Sequence, residues 1–262
     1  MVKTFYTEKL NVSYEKVNII NNLNIVIPDQ KITALVGPNG SGKSTILKAM
    51  SRLIKPSEGS VVLDGQSIHS YSTREVAQKL SILPQTPTAP EGITVEELVS
   101  YGRYPHQKGM KKLTQQDNDI VNWALEATGM HQFKNIAIDH LSGGQRQRVW
   151  IAMTLAQQTN IMFLDEPTTY LDMEHQLEVL RILKQINKDH KTTIVMVVHD
   201  LNHATRYADH VIAIKKGEVV CEGSPIDVVK PSMLLDVFNV YADVVLDKRT
   251  HVPSLYSIWI KR

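Results

Sequence analysis

The sequence is poor in the residues that would staple or anchor it. One cysteine, Cys221, occurs in 262 residues. No internal disulfide can form, and no Cys/His spacing of a zinc site surrounds it, so it reads as a small packed residue. The ten histidines likewise lack ligand spacing. No window approaches the ~20 consecutive apolar residues that a membrane-spanning helix needs. The opening residues, MVKTFYTEKLNVSYEK, are interrupted by charges and lack the apolar stretch of a secretory signal. These absences point to a soluble, cytoplasmic chain that would serve a membrane only from outside it. An excess of one charge is missing as well, with 29 basic against 27 acidic residues and a net charge of +2. That balance argues against a nucleic-acid partner, which would leave a basic patch. The nearest thing to a basic block, MKKL at Met110 to Leu113, reads as a solvated loop. No internal repeat and no low-complexity linker is present.

What is present is a 42% hydrophobic fraction, ordinary for a chain with a substantial core. Four short apolar runs each end in polar groups: KITALVG, KLSILPQ, NIMFLDE and TTIVMVVHD. They are nearly continuous in aliphatic residues rather than alternating, which predicts strands buried on both faces of a parallel sheet covered by helices. In such sheets ligands bind at the carboxyl ends of the strands, so all four runs aim polar groups at one expected site. Before the first run, YTEKLNVSY and NLNIVIPDQ alternate enough to predict an antiparallel flap. Between Gln85 and Ile161 strand-like runs vanish. TVEELVSYG opens with a capping box of Thr94 and Glu97, and TQQDNDIVNWALEATG places Ile120, Val121, Ala124, Leu125 and Ala127 near helical spacing. This texture predicts a helical subdomain inserted into the sheet core. The tail beyond GEVVCEGSP is mixed and uninformative.

The first run feeds Gly37, Pro38, Asn39, Gly40, Ser41, Gly42, Lys43, Ser44 and Thr45, which fit G-x-x-x-x-G-K-[ST] between a strand and a helix. Glycines let backbone N–H groups close around phosphate oxygens, and the helix start adds partial positive charge. Lys43 would reach the β- and γ-phosphates and Ser44 would ligand Mg²⁺, so ATP and Mg²⁺ are the expected cofactors. The competing reading is a glycine-rich turn with an incidental lysine. Asp165 and Glu166 follow IMFL; Asp165 would hold the metal and Glu166 would polarise an attacking water. Two acids at a strand end are otherwise often a solvated turn.

A second glycine turn, LSGGQ at Leu141 to Gln145, opens the helix GGQRQRVWIAMTLAQQ but has no lysine of its own. Ser142 and Gln145 fit a capping box, and Val149, Ala152, Met153 and Ala156 fit a buried stripe. That accounts for the helix but not for two glycines in its first turn, each costing up to ~1 kcal/mol.

Together these motifs closely resemble the ATP-binding cassette ATPases: Walker A in GPNGSGKST, a Q-loop at Gln85, the LSGGQ signature, Walker B in IMFLDE, a D-loop at Leu171–Asp172 and a switch histidine at His199, in the family's order over about residues 1 to 225. The resemblance implies an α/β P-loop NTPase (RecA-like) fold with a parallel-sheet core, an N-terminal antiparallel β flap and an inserted helical subdomain. It implies one nucleotide-binding domain over 1–262, with its core at 1–85 and 157–225, helical subdomain at 86–156 and a C-terminal extension at 226–262. Gln85 would ligand Mg²⁺ and water and sense the γ-phosphate. His199 would hold the γ-phosphate and the attacking water; a satisfied strand-end histidine is the alternative. Asp172 would shape the contact between two sites, and Tyr14 would stack on adenine unless it is a packing residue. Ser142, Gly143, Gly144 and Gln145 would cover the γ-phosphate held by the partner's Lys43, in a head-to-tail C₂ dimer of two copies.

The resemblance further implies an ATPase on the cytoplasmic face of the membrane, driving an integral membrane permease and, indirectly, a substrate-binding protein. ELVSYGRYPHQKG, LPQ and TTYLD look like importers of iron(III)–siderophore complexes, with Tyr101, Arg103, Tyr104 and Pro105 on the face toward the permease, or else in a polar loop. Haem, cobalamin or molybdate are alternative cargoes. A non-transport ATPase in DNA repair or on the ribosome is a further alternative, which the lack of long insertions disfavours.

Overall fold

The computed structural model describes residues 5–15, 17–107 and 112–260. Lys108 to Met110 of the YGRYPHQKG and MKKL segments, and Lys111, lie outside the described residues. Strands β1 (Phe5–Tyr14), β2 (Val17–Leu23), β3 (Val26–Ile27) and β4 (Ile32–Val36) lead into helix α1 (Lys43–Met50), and β5 (Glu58–Leu63) and β6 (Gln66–Ser67) follow. Next come α2 (Thr73–Lys79), β7 (Leu80–Leu83), α3 (Val95–Ser100), α4 (Gln115–Ala127), α5 (Gly143–Ala156), β8 (Ile161–Leu164) and α6 (Met173–His190). The chain continues through β9 (Thr193–Val197), α7 (Leu201–Tyr207), β10 (His210–Lys215), β11 (Glu218–Gly223), β12 (Val240–Leu246) and β13 (Pro253–Ile260). It divides into two compact units, one of Met1–Ser70 with Thr193–Arg262, the other of Tyr71–Thr192.

The first unit holds an antiparallel sheet in the order β2-β1-β5-β6, with β3 also on β1. The expected flap is real, but half of it comes from β5 and β6, beyond α1. The same unit pairs β10 and β9 in parallel on either side of β4, with β11 antiparallel on β10. Every residue of β4 and β9 is buried, as continuous apolar runs require. β12 and β13 form a hairpin, and Leu255 N–H on β13 donates to Asn202 Oδ1 on α7 at 2.8 Å.

The second unit pairs β7 and β8 in parallel and packs α3, α4 and α5 together. No strand lies between Gln85 and Asn160 among the described residues. Helix α5 departs from the expected stripe. Trp150, Ile151, Thr154 and Leu155 are buried beside Val149, Ala152 and Ala156, while Met153 is only half-buried, so the helix is enclosed nearly all round. On α4, Ala127 faces solvent.

The YGRYPH segment corrects a second expectation. Arg103 is not a surface group but 5% exposed. Its Nε donates to Asp117 Oδ1 at 2.9 Å, and its Nη1 donates to Ala156 O at 2.8 Å and Gln158 Oε1 at 3.1 Å. It ties the short helical segment after α3 to the start of α4 and the end of α5. The reason is local: Gly102 sits against the α5 backbone, where a β-carbon would come 2.3 Å from Met153 O, so the next side chain is drawn inward. Tyr104 does face solvent, 57% exposed, with its ring stacked on Tyr101 at 4.9 Å. Burial pushes the Asp117 carboxyl up, but the Thr114 hydroxyl and backbone N–H and the Arg103 guanidinium outweigh it and hold the group below the usual aspartate range.

Removing one partner strands a buried charge, so Arg103→Ala should cost about 3–5 kcal/mol in urea unfolding. A surface arginine would leave stability nearly unchanged. The Asp117 contribution is present above the ordinary aspartate pKa and is lost as pH falls through the lowered one. The stability gap between the parent and Asp117→Asn should therefore close in acid.

Candidate functional site

In the first unit, β4 and β9 run in register with Leu35 opposite Val197, and Val198 N–H donates to Leu35 O at 3.2 Å. Parallel strands in register end together, so the loop from Gly37 and the exposed His199 leave the same edge. Asp200 turns the chain at once into α7, its Oδ1 accepting from Asn202 N–H at 2.7 Å and His203 N–H at 3.2 Å. The aspartate of the VVHD run is thus a helix cap, readable from its place before an apolar-periodic segment.

Gly42 is the N-cap of α1 at φ 101°, where a β-carbon would fall 2.6 Å from Ile20 Cδ1. Only glycine fits, and glycine has no side chain to cap with. α1 accordingly starts without a side-chain cap and without an acid in its first turn. Every helix from α2 to α7 is capped by its own Ser72, Thr94, Thr114, Ser142, Asp172 or Asp200. A helix start without its own capping side chain, at the positive end of the helix dipole, suits an anion. Ser41 Oγ beside it is buried without a hydrogen-bond partner. Lys43 donates to Gly37 O at 2.8 Å and Pro38 O at 2.9 Å, so its ammonium is held at the loop. These residues fit a phosphate chain. Ser44 and Thr45 lie half-buried in the first turn and Asn39 is exposed. In the flap, Tyr14 is 45% exposed, a ring left open rather than packed in the core.

In the second unit β7 and β8 also end together, with Leu83 opposite Leu164 and Asp165 N–H donating to Leu83 O at 2.9 Å. Asp165 is buried and Glu166 half-buried. Glu166 has φ 54°, a left-handed conformation uncommon outside glycine. Gln85 Nε2 donates to its Oε2 at 2.7 Å, and Thr169 Oγ1 donates to the same oxygen at 2.9 Å. The two carboxylates thus stand in different settings, as two roles require. Thr169 was not among the expected residues; it is brought to the carboxylate by a turn closed by Thr169 N–H on Glu166 O at 3.2 Å, and its place three residues beyond Glu166 is the one signal in the sequence that could have found it.

The second glycine turn forms the capping box that its sequence suggests, with Gln145 N–H donating to Ser142 Oγ and Ser142 N–H donating to Gln145 Oε1. Gly143 has room beside it, its nearest neighbour for a β-carbon being Leu171 Cδ2 at 4.0 Å. Gly144 does not, because the ring of His175 lies against it. Asp172 caps α6 through His175 N–H at 3.0 Å. Among the described residues no helix is long and apolar enough to cross a membrane, and no cluster of acids, histidines and cysteines could by itself hold a metal.

Comparison with known proteins shows the family and the fold. The model of the family described as ABC transporter matches residues 20–169. The iron(3+)-hydroxamate import ATP-binding protein FhuC of Bacillus subtilis is 54% identical over 94% of this chain and 92% of its own. The achromobactin transport ATP-binding protein CbrD of Dickeya dadantii is 49% identical, also over 94% and 92%. The ferric enterobactin transport ATP-binding protein FepC of Escherichia coli is 44% identical over 96% and 93%. Among solved structures, the dimeric cassette MJ0796 shares 28% identity over 84% of this chain and 98% of its own, with a TM-score of 0.75. A subunit of an inward-facing metal-chelate type ABC transporter has the same fold, with a TM-score of 0.84 at 24% identity over 98% and 97%.

The geometry also revises what Lys43 does without nucleotide. An ammonium serving phosphate alone would leave the nucleotide-free fold indifferent to its removal. Lys43 is instead 6% exposed and satisfies two loop carbonyls. Lys43→Ala should lower nucleotide-free stability by about 1.5–3 kcal/mol, as the loss of a charged hydrogen-bond donor does. Chemical denaturation without ATP checks this.

Proposed function

From the fact that the chain belongs to the ABC transporter family of ATP-binding proteins, we propose that it is the ATP-hydrolysing subunit of an importer, powering uptake of an iron(III)–siderophore complex through a membrane permease. The observation that carries the ATPase reading is the 2.7 Å hydrogen bond from Gln85 to Glu166 at the ends of two parallel strands, beside a buried Asp165. The cargo reading is supported by relatives that match over more than nine-tenths of both chains and are named for iron(3+)-hydroxamate import and ferric enterobactin transport.

In this reading the bare start of α1 and Lys43 bind the phosphates of ATP, and Tyr14 stacks on the adenine. Ser44, Asp165 and Gln85 are the residues that would hold Mg²⁺, which when bound supplies charge neutralisation at the phosphates. Glu166 takes the proton of the attacking water, and His199 orients that water and the γ-phosphate. Before nucleotide arrives, one Glu166 oxygen already accepts from Gln85 and Thr169. The signature residues Ser142, Gly143, Gly144 and Gln145 close the partner copy's site, with Asp172 between the two sites. The dimer works on the cytoplasmic face of the membrane, one nucleotide-binding domain per chain. With Arg103 buried, the exposed Tyr104, stacked on a half-buried Tyr101, and Pro105 are left as the part of the YGRYPH segment that faces the permease.

Glu166→Gln should keep ATP binding and lose ~10²–10⁴-fold in turnover, the usual effect of removing a positioned base. It should accumulate an ATP-bound dimer on size exclusion; near-normal hydrolysis would remove Glu166 from the role. Mixing Ser142→Arg with Lys43→Ala should restore one whole site per mixed dimer, giving activity above either parent. Deleting the gene should slow growth under iron scarcity and reduce uptake of radiolabelled ferric siderophore, with rescue by abundant iron. Loss of haem or cobalamin use at normal siderophore uptake would overturn the cargo and leave the ATPase reading in place.

A further inference from the structure

A β-carbon placed on Gly144 would fall 1.7 Å from Cδ2 of His175, 2.5 Å from its Cγ and 2.8 Å from its Nε2. That is far inside van der Waals contact, so the α5 backbone and the imidazole share a space that admits no further atom. On its other side the ring lies against α6: Nδ1 is buried without a hydrogen bond, 3.3 Å from Asp172 Oδ1 and 3.9 Å from Glu178 Oε2. Glu178 is in turn held by Arg148 on α5. Asp172 Oδ1 accepts the His175 backbone N–H at 3.0 Å, so the first turn of α6 is held where the ring meets α5. The imidazole thus lies between Gly144 of α5 and the Asp172 and Glu178 carboxylates of α6, with part of its edge in solvent.

We infer that His175 is a positioning residue that seats the signature turn on the start of α6, so that Gly144 is required by this chain's own histidine and the signature turn is set against the Asp172 turn of the same subunit. The inference rests on the proposed function for what those turns do, but the seat itself is a property of the nucleotide-free fold. It also removes one of the two glycines from the question raised by the sequence. A glycine at 144 follows from the close approach of α6, whatever the turn binds, while Gly143 keeps open space on its outer side.

The experiment is a double-mutant cycle on the full chain, with Gly144→Ala, His175→Ala and the pair. Without nucleotide, Gly144→Ala should lower the melting temperature or fail to fold, and adding His175→Ala should recover most of the loss, because the methyl then has somewhere to go. A Gly144→Ala variant as stable as the parent, or a double variant as impaired as Gly144→Ala alone, would overturn the seat. This readout needs no ATP, so it stands or falls apart from the ATPase reading. For the positioning role, His175→Ala should lower kcat several-fold at unchanged KM for ATP, since the phosphate loop is untouched. His175→Phe, which keeps a ring over Gly144, should retain most of the rate. Wild-type kcat in His175→Ala, or a Phe variant as slow as the Ala variant, would show that the ring does not position the turn.

Discussion

The start of α1 is where the fold does without a capping side chain. Gly42 lies at φ 101° against Ile20, which rules out a capping side chain at the helix start. Elsewhere the chain spends a serine, threonine or aspartate on each helix start down to α7. Glycine in place of a capping side chain costs only a few tenths of a kcal/mol. The fold tolerates it because β4 and α1 are anchored by buried Leu35, Ile46 and Leu47, and because Lys43 quiets the loop carbonyls. A strand edge that carries binding groups has to be held by a core that does not depend on them.

The same division appears at Glu166. Its backbone is left-handed and its carboxylate is held from two sides, yet the strand that delivers it, β8, is buried at every position. Strain of about 1–3 kcal/mol at such a residue persists only where the surroundings over-determine it. The parallel pairing of β7 with β8 and the turn closed by Thr169 provide that surrounding.

Which features were legible in the sequence follows from the range of the interactions that make them. β4, β8 and β9 were readable as unbroken apolar runs because burial on both faces marks each strand independently. The capping boxes at Thr94 and Ser142 were readable because they close within four residues. The second half of the flap was not, since β5 pairs with β1 across about fifty residues, and nothing in either strand names its partner. Arg103 was misread because its charge suggests a surface, and only the approach of Gly102 to Met153 reveals why it turns inward. Helix α5 showed a stripe where it is enclosed nearly all round, because neutral residues such as Thr154 carry little periodic signal. His175 was invisible for a similar reason: its neighbour Gly144 lies on another helix, thirty-one positions earlier. The hairpin of β12 and β13, with one side on α7 and much apolar surface exposed, left no clear alternation to find.

The capping box at Ser142 chooses between oxygens that are otherwise equivalent. As caps, serine and aspartate serve a helix about equally, and α6 and α7 use aspartate. A carboxylate, however, only accepts, and its charge repels any anion that approaches. A hydroxyl can accept from Gln145 N–H through a lone pair and still hold a proton to donate. Ser142 can therefore stabilise its own helix and greet an incoming phosphate at the same moment, without surrendering one contact for the other. A neutral amphoteric cap at this turn makes docking an addition of a bond, where an acidic cap would have made it an exchange.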